Sequence, residues 1–159
     1  MEIIKPKAEN LEQIKSILEQ WTDREEVDKY VARISNEING RTEFNMQFWV
    51  AVEDKNAVGI VGLSNLLPKI LFFGKTSNPG EIKILYVDTK RQGKGVGKML
   101  VNFIEHEAKK QKYSELLVRS AFRYRDTAWG FYRKMGYLAK GEIGSGENLK
   151  TMQVFGKLL

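Results

Sequence analysis

EIKILYVDTKRQGKGVGKML, residues 81–100, holds the transition on which the fold turns. Its first part, 81–87, is a compact apolar run that predicts a strand. Its end opens an apolar stripe of Val96, Met99, Leu100, Phe103, Ile104 and Ala108 at helical spacing. Between strand and helix lies RQGKGVGK, 91–98. The alternating glycines Gly93, Gly95 and Gly97 are expected to take positive φ and to let the backbone approach a ligand. Amides at the helix start face outward beside the positive end of the helix dipole, which suits phosphate oxygens. Arg91, Lys94 and Lys98 add charge of the matching sign, although a tight turn alone would also use such glycines. Two phosphate motifs fail on spacing. Lys98 stands where a dinucleotide loop needs its third glycine, and Gln92 and Met99 occupy required P-loop positions.

Upstream, Leu11, Ile14, Ile17, Leu18 and Trp21 predict an amphipathic helix. Thr22-Asp23-Arg24-Glu25 has the spacing of a capping box, with Thr22 and Glu25 as its reciprocal partners. A second helix carries Val27, Tyr30, Val31, Ile34 and Ile38 and stops at Gly40. Residues 48–53 and 57–66 read as a hairpin turning at Asp54-Lys55-Asn56. Residues 68–80 are expected to be a surface loop. Downstream, 116–118 forms a short strand and 126–135 a helix stopped by Gly136. Strands beginning at Tyr137 and near 149–158 are joined by a Gly-Ser-Gly turn around Ser145. This order predicts an α/β fold, a mixed sheet flanked by helices on both faces. With no repeat or linker, 1–159 is read as a single domain.

Composition narrows the chemistry. Cysteine is absent and His106 is the only histidine, so a cysteine acyl-enzyme and metal sites built on thiolates or paired histidines are excluded. His106 falls on the polar side of its helix. The three tryptophans, Trp21, Trp49 and Trp129, sit at apolar positions suited to the core or a pocket wall. The formal charge of +6 favours an anionic partner without choosing one. No apolar window reaches bilayer length and the N-terminus lacks a signal-peptide core, so a cytoplasmic location is expected.

Gln92, Gly95 and Gly97 fill the Q/R-x-x-G-x-G/A motif of the Gcn5-related N-acetyltransferases, which this chain resembles over nearly its whole length. Ala128, Phe131, Tyr132, Lys134, Gly136 and Tyr137 match the intervals of that family's second signature. The resemblance implies a mostly antiparallel mixed sheet with a splayed central strand pair and about four helices. It implies acetyl-CoA as co-substrate, without a metal, and acetyl transfer to a primary amine. The coenzyme would lie along Leu85, Tyr86 and Val87 and on Gln92, Gly93, Lys94, Gly95, Val96, Gly97 and Lys98. Arg125 stands where the family has an asparagine that contacts coenzyme A, and could instead meet a phosphate.

The resemblance further casts Tyr132 as the acid that protonates the departing thiolate, with Phe131 taking the packing role. Glu81 falls where one branch of the family carries its general base, although it could simply cap an exposed strand end after Pro79-Gly80. Without a cysteine or a well-placed histidine, direct attack within a ternary complex is expected. A non-catalytic coenzyme sensor is a rival reading. A nucleic-acid-binding module is another, disfavoured because the basic residues are spread over helices. The acceptor is open between a small-molecule amine and a protein or peptide amine. Oligomeric state is open too, a homodimer included.

Overall fold

The computed structural model describes residues 1–144 and 151–159, so the turn expected around Ser145 and the strand start near Leu149 lie outside the described residues. Seven strands form one mixed sheet in the order β1-β2-β3-β4-β5-β7-β6. The chain divides into two compact units, Met1–Asn65 with Lys83–His106, and Leu66–Ile82 with Glu107–Leu159. No helix among the described residues is long and apolar enough to cross a membrane.

In the first unit, β1 (Glu2–Ile4) pairs antiparallel with β2 (Gln47–Glu53), which pairs antiparallel with β3 (Asn56–Asn65). β1 was not foreseen, because three residues on a sheet edge carry too little periodicity. The β2–β3 turn is shorter than expected, since Asp54 (φ 50) and Lys55 (φ 67) alone make it and Asn56 already pairs with Glu53. Two consecutive left-handed residues give the turn whose twist matches the strands. Ala57 through Leu63 of β3 are buried, which is why that run is continuously apolar and does not alternate.

Helices α1 (Leu11–Glu19) and α2 (Arg24–Ile38) bury Ile14, Ile17, Leu18, Val27 and Ile34. The cap of α2 lies one residue later than the capping-box reading placed it. Asp23 is the N-cap and accepts from the Glu26 amide at 3.0 Å, while the Thr22 hydroxyl bonds the Glu26 carboxylate. Gly40 closes the helix at φ 74. Helix α3 (Val96–Lys110) packs its first turn on β3 at Gly59. A Cβ on Gly59 would come within 2.9 Å of Leu100 and 3.3 Å of Val96.

The second unit contains the start of β4 (Pro79–Val87), which pairs in parallel with β5 (Glu115–Ala121) from Pro79↔Glu115 to Ile82↔Val118. β5 pairs antiparallel with β7 (Met152–Leu158), and β7 with β6 (Leu138–Ile143). Helix α4 (Ala128–Lys134) begins two residues later than expected, because a 3-10 turn over Phe122–Tyr124 occupies the approach. Gly136 ends it at φ 93, and Lys157 Nζ donates to the Met135 carbonyl at 2.9 Å, a cation at the negative helix end.

The expected surface loop 68–80 is largely structured. A 3-10 helix over Pro68–Phe73 buries Ile70 completely against Leu66, Leu117 and Val154, and β4 begins at Pro79. The carboxylate of Glu115, itself 1% exposed, pins the segment between them. It accepts from the Lys75 amide at 2.6 Å, the Thr76 amide at 2.7 Å and the Thr76 hydroxyl at 3.0 Å. Glu115→Ala would remove the acceptor of two part-buried amides, at about 1–3 kcal/mol each. A fall in Tm of roughly 4–24 °C is expected at about 2–4 °C per kcal/mol, read by differential scanning calorimetry. A Tm within a degree of wild type would show that the segment needs no such anchor.

Candidate functional site

The first unit assembles the glycine loop from local causes. Asp88 ends β4, donates its amide to the Val58 carbonyl at 2.9 Å, and caps a 3-10 turn over Thr89–Arg91 by accepting from the Lys90 amide at 3.0 Å. Gly93 and Gly95 then take φ values of 75° and 82°, and an added Cβ at either would meet nothing within 4 Å. Glycine is therefore required there by the backbone angle and not by crowding within the protein. Gly97 corrects the reading of three alike glycines. It lies inside the first turn of α3, where no positive φ is needed.

Met99 makes the first intrahelical bond, to the Gly95 carbonyl at 3.0 Å. The amides of Val96, Gly97 and Lys98 precede it and lack intrahelical acceptors by the geometry of a helix start. They lie in the run on which the sequence reading places the coenzyme, with Val96 buried and Gln92, Lys94 and Lys98 exposed around it. A pyrophosphate fits such a site by charge and by donor direction.

Leu85, Tyr86 and Val87 lie in the last part of β4, directly before this loop, and are half-buried. Ile84, before them, has φ 53, a strained value for a β-branched residue that breaks the regular pleat of the strand. Trp21 Nε1 donates to the Val87 carbonyl at 2.8 Å, so the end of β4 is fixed to the first helices. The rings of Trp21 and Tyr30 lie 6.4 and 6.3 Å from that of Tyr86. Trp21 thus holds the strand as well as lining the core, a role that only its place beside β4 reveals.

The second unit holds the remaining candidates. Glu81 lies inside β4 and is 1% exposed, so it does not cap an exposed strand end. Arg119 Nε donates to its Oε1 at 2.8 Å. Arg119 was not foreseen, because a pair that bridges two strands depends on register and not on spacing. Tyr132 is 5% exposed, whereas Phe131 is only half-buried, reversing the expected division of labour. Trp129 and Tyr132, three positions apart, share the buried face of α4, and Tyr132 stacks near Tyr137 and Phe155 at 6.0 and 5.8 Å.

Burial pushes the Tyr132 phenol well above its ordinary value, because desolvation penalises the phenolate. The group keeps its proton at neutral pH. Its contribution to stability is complete below the ordinary tyrosine pKa of about 10 and declines as the pH rises beyond that. Arg125 is exposed, donating from Nη1 to the Phe122 carbonyl at 3.1 Å. His106 is exposed on α3.

No protein of curated function matches the sequence. Among solved structures, a protein assigned to the GNAT family from Desulfovibrio desulfuricans shares the fold at TM-score 0.84 and 14% identity, with 99% of this chain and 98% of that one covered. An aminoglycoside 6'-N-acetyltransferase complexed with coenzyme A matches at TM-score 0.71 and 18% identity, covering 99% and 97%. The PaiA N-acetyltransferase of Thermoplasma acidophilum, in complex with coenzyme A, matches at TM-score 0.71 and 19% identity, covering 99% and 98%. The model of the acetyltransferase (GNAT) family matches residues 11–137, and this chain belongs to that family of acetyltransferases.

Proposed function

We propose that this acetyltransferase moves an acetyl group from acetyl-CoA to a primary amine by direct attack within a ternary complex. The observation that carries this reading is the α3 start, where two left-handed glycines deliver three outward amides inside the family's own motif. Those amides hold the pyrophosphate, with Gln92, Lys94 and Lys98 around it, and the backbone of Leu85, Tyr86 and Val87 receives the amide-bearing arm as an added strand would be received. The Val87 carbonyl already accepts from Trp21, which leaves that arm the other polar groups of the segment. Bound acetyl-CoA supplies an activated thioester. A strand amide directed at its carbonyl stabilises the developing oxyanion, a contribution of about 10²–10³ in rate.

Tyr132 protonates the leaving thiolate. Glu81 takes the proton of the attacking amine, while Arg119 fixes the carboxylate that does so. Arg125 meets a phosphate of the coenzyme in place of the family's asparagine. The acceptor is a small-molecule amine, a class favoured by fold neighbours that act on aminoglycosides. A peptide amine is the alternative acceptor. Absence of cysteine and exposure of His106 favour direct transfer over an acyl-enzyme.

The cradle is tested by Gly97→Asp. Aspartate is favourable in the first turn of a helix, so the fold should persist while its charge repels the pyrophosphate. Calorimetry should show acetyl-CoA affinity reduced by at least about tenfold, equivalent to 1.4 kcal/mol, with native circular dichroism. Full affinity in that variant would remove the pyrophosphate from this loop.

Tyr132→Phe keeps the ring contacts and deletes the proton donor. A loss in kcat of about 10²–10⁴ with acetyl-CoA affinity held is expected. A variant with most of its kcat intact would leave Tyr132 a packing residue.

Initial-rate lines at several amine concentrations should intersect, and Glu81→Gln should recover part of its lost rate in alkali, where more acceptor is neutral. Parallel lines with a trapped acetyl-enzyme would overturn direct transfer. A pH-independent loss in Glu81→Gln would withdraw only the base.

A further inference from the structure

The formal charge of +6 is not shared between the two units. The first unit carries 13 basic and 14 acidic residues, a net −1, whereas the second carries 13 basic and 6 acidic residues, a net +7. Both groups given to proton transfer, Glu81 and Tyr132, belong to the second unit. The loop given to the coenzyme's pyrophosphate belongs to the first, so the pyrophosphate does not explain where the surplus lies.

The second unit's few acids are largely withdrawn from solvent or paired. Glu81 and Glu115 are each 1% exposed. Arg119 bonds the one, and donors of Lys75 and Thr76 bond the other. Glu107 pairs with Lys110 at 2.8 Å. Among the described residues of this unit, nine cations are exposed but only two acids, Asp126 and Glu142. Several of those cations lie close in sequence to the reacting tyrosine. Arg123 and Arg125 stand on the approach to α4, and Arg133 and Lys134 directly follow Tyr132 on it.

We infer that the acceptor is an amine that itself carries an anionic group, a carboxylate or a phosphate, and is not a polycation. This deepens the transfer reading above and rests on it. A surface of one sign raises the encounter rate of molecules of the opposite sign and lowers that of molecules of its own. An acceptor with several ammonium groups needs exposed carboxylates to receive them, and this unit offers two among its described residues. An anionic group on the acceptor meets a surface already charged to receive it.

The test measures kcat/KM with acetyl-CoA saturating, so that the coenzyme's own charges stay constant. Its probes are four amines on one short alkyl chain, ending in a methyl, a carboxylate, a phosphate or a second ammonium group. At low salt the wild type should favour an anionic amine over the diamine by about tenfold or more, with the neutral amine between them. Raising the salt from about 0.01 M to about 0.1 M shortens the screening length from about 30 Å to about 10 Å. The rate constant for the favoured anionic amine should then fall by about threefold, while that of the neutral amine holds. Arg133→Gln/Lys134→Gln should weaken both the preference and the salt effect without changing the neutral amine, which a merely structural disturbance would also slow. The carboxylate and phosphate arms tell the two anions apart. A preference for the diamine, equal rates for all four, or anionic rates that rise with salt would overturn the inference and leave acetyl transfer standing. Failure to turn over either anionic amine, in an enzyme that binds acetyl-CoA, overturns it as well. If acetyl-CoA does not bind the wild type, the transfer reading falls and this inference falls with it.

Discussion

The first turn of α3 lies almost against the backbone of β3. Gly59 makes that approach possible, since the nearest side-chain atoms of Leu100 and Val96 occupy the space a methyl group would need. Val96 is buried at this contact, which leaves the adjoining amides on the outer side of the turn. The two left-handed glycines before it reverse the chain without any side chain that could shield those amides. One close backbone-to-helix contact thus fixes the direction in which the helix dipole points, and the dipole sets what charge can bind there.

The same end of β4 is tied down from several directions. Asp88 joins it to β3 through Val58, and Trp21 joins it to the first helices through Val87. Gln20 reaches the following 3-10 turn. These are polar anchors placed where the strand leaves its regular pleat at Ile84. Side-chain anchors of this kind keep the strand ordered where its backbone leaves the regular ladder.

What was legible in the sequence is what depends on few, local residues. The strand–loop–helix transition at 81–100 and the Gly40 and Gly136 stops follow from backbone angle and apolar period. The helix cap shifted by one residue because Thr22 and Asp23 can both cap, and only the Glu26 amide's position decides between them. Ile70 was hidden because Leu66, Leu67, Leu71, Phe72 and Phe73 surround it in one apolar stretch that shows no clear period. Phe131 and Tyr132 are neighbours in sequence, so one must turn outward, but the phase of α4 is set by where Trp129 packs on Phe155, a contact across the fold. Arg119 meets Glu81 through the parallel register of β4 and β5, which no spacing within either strand encodes.

Acyl transfer to an amine needs one group that accepts a proton near neutrality and another that holds one. Tyr132 is buried, and burial raises its phenol and holds the proton on it. Its phenol is surrounded by rings, and desolvation by burial keeps the phenolate costly. Glu81 is also buried, yet its environment is the opposite in kind, because a guanidinium bonds the carboxylate directly. A buried ion pair broken by mutation leaves an uncompensated charge. The two groups are therefore differentiated by their neighbours and not by their depth. Tyr132 is buried among rings, and Glu81 is buried against a guanidinium.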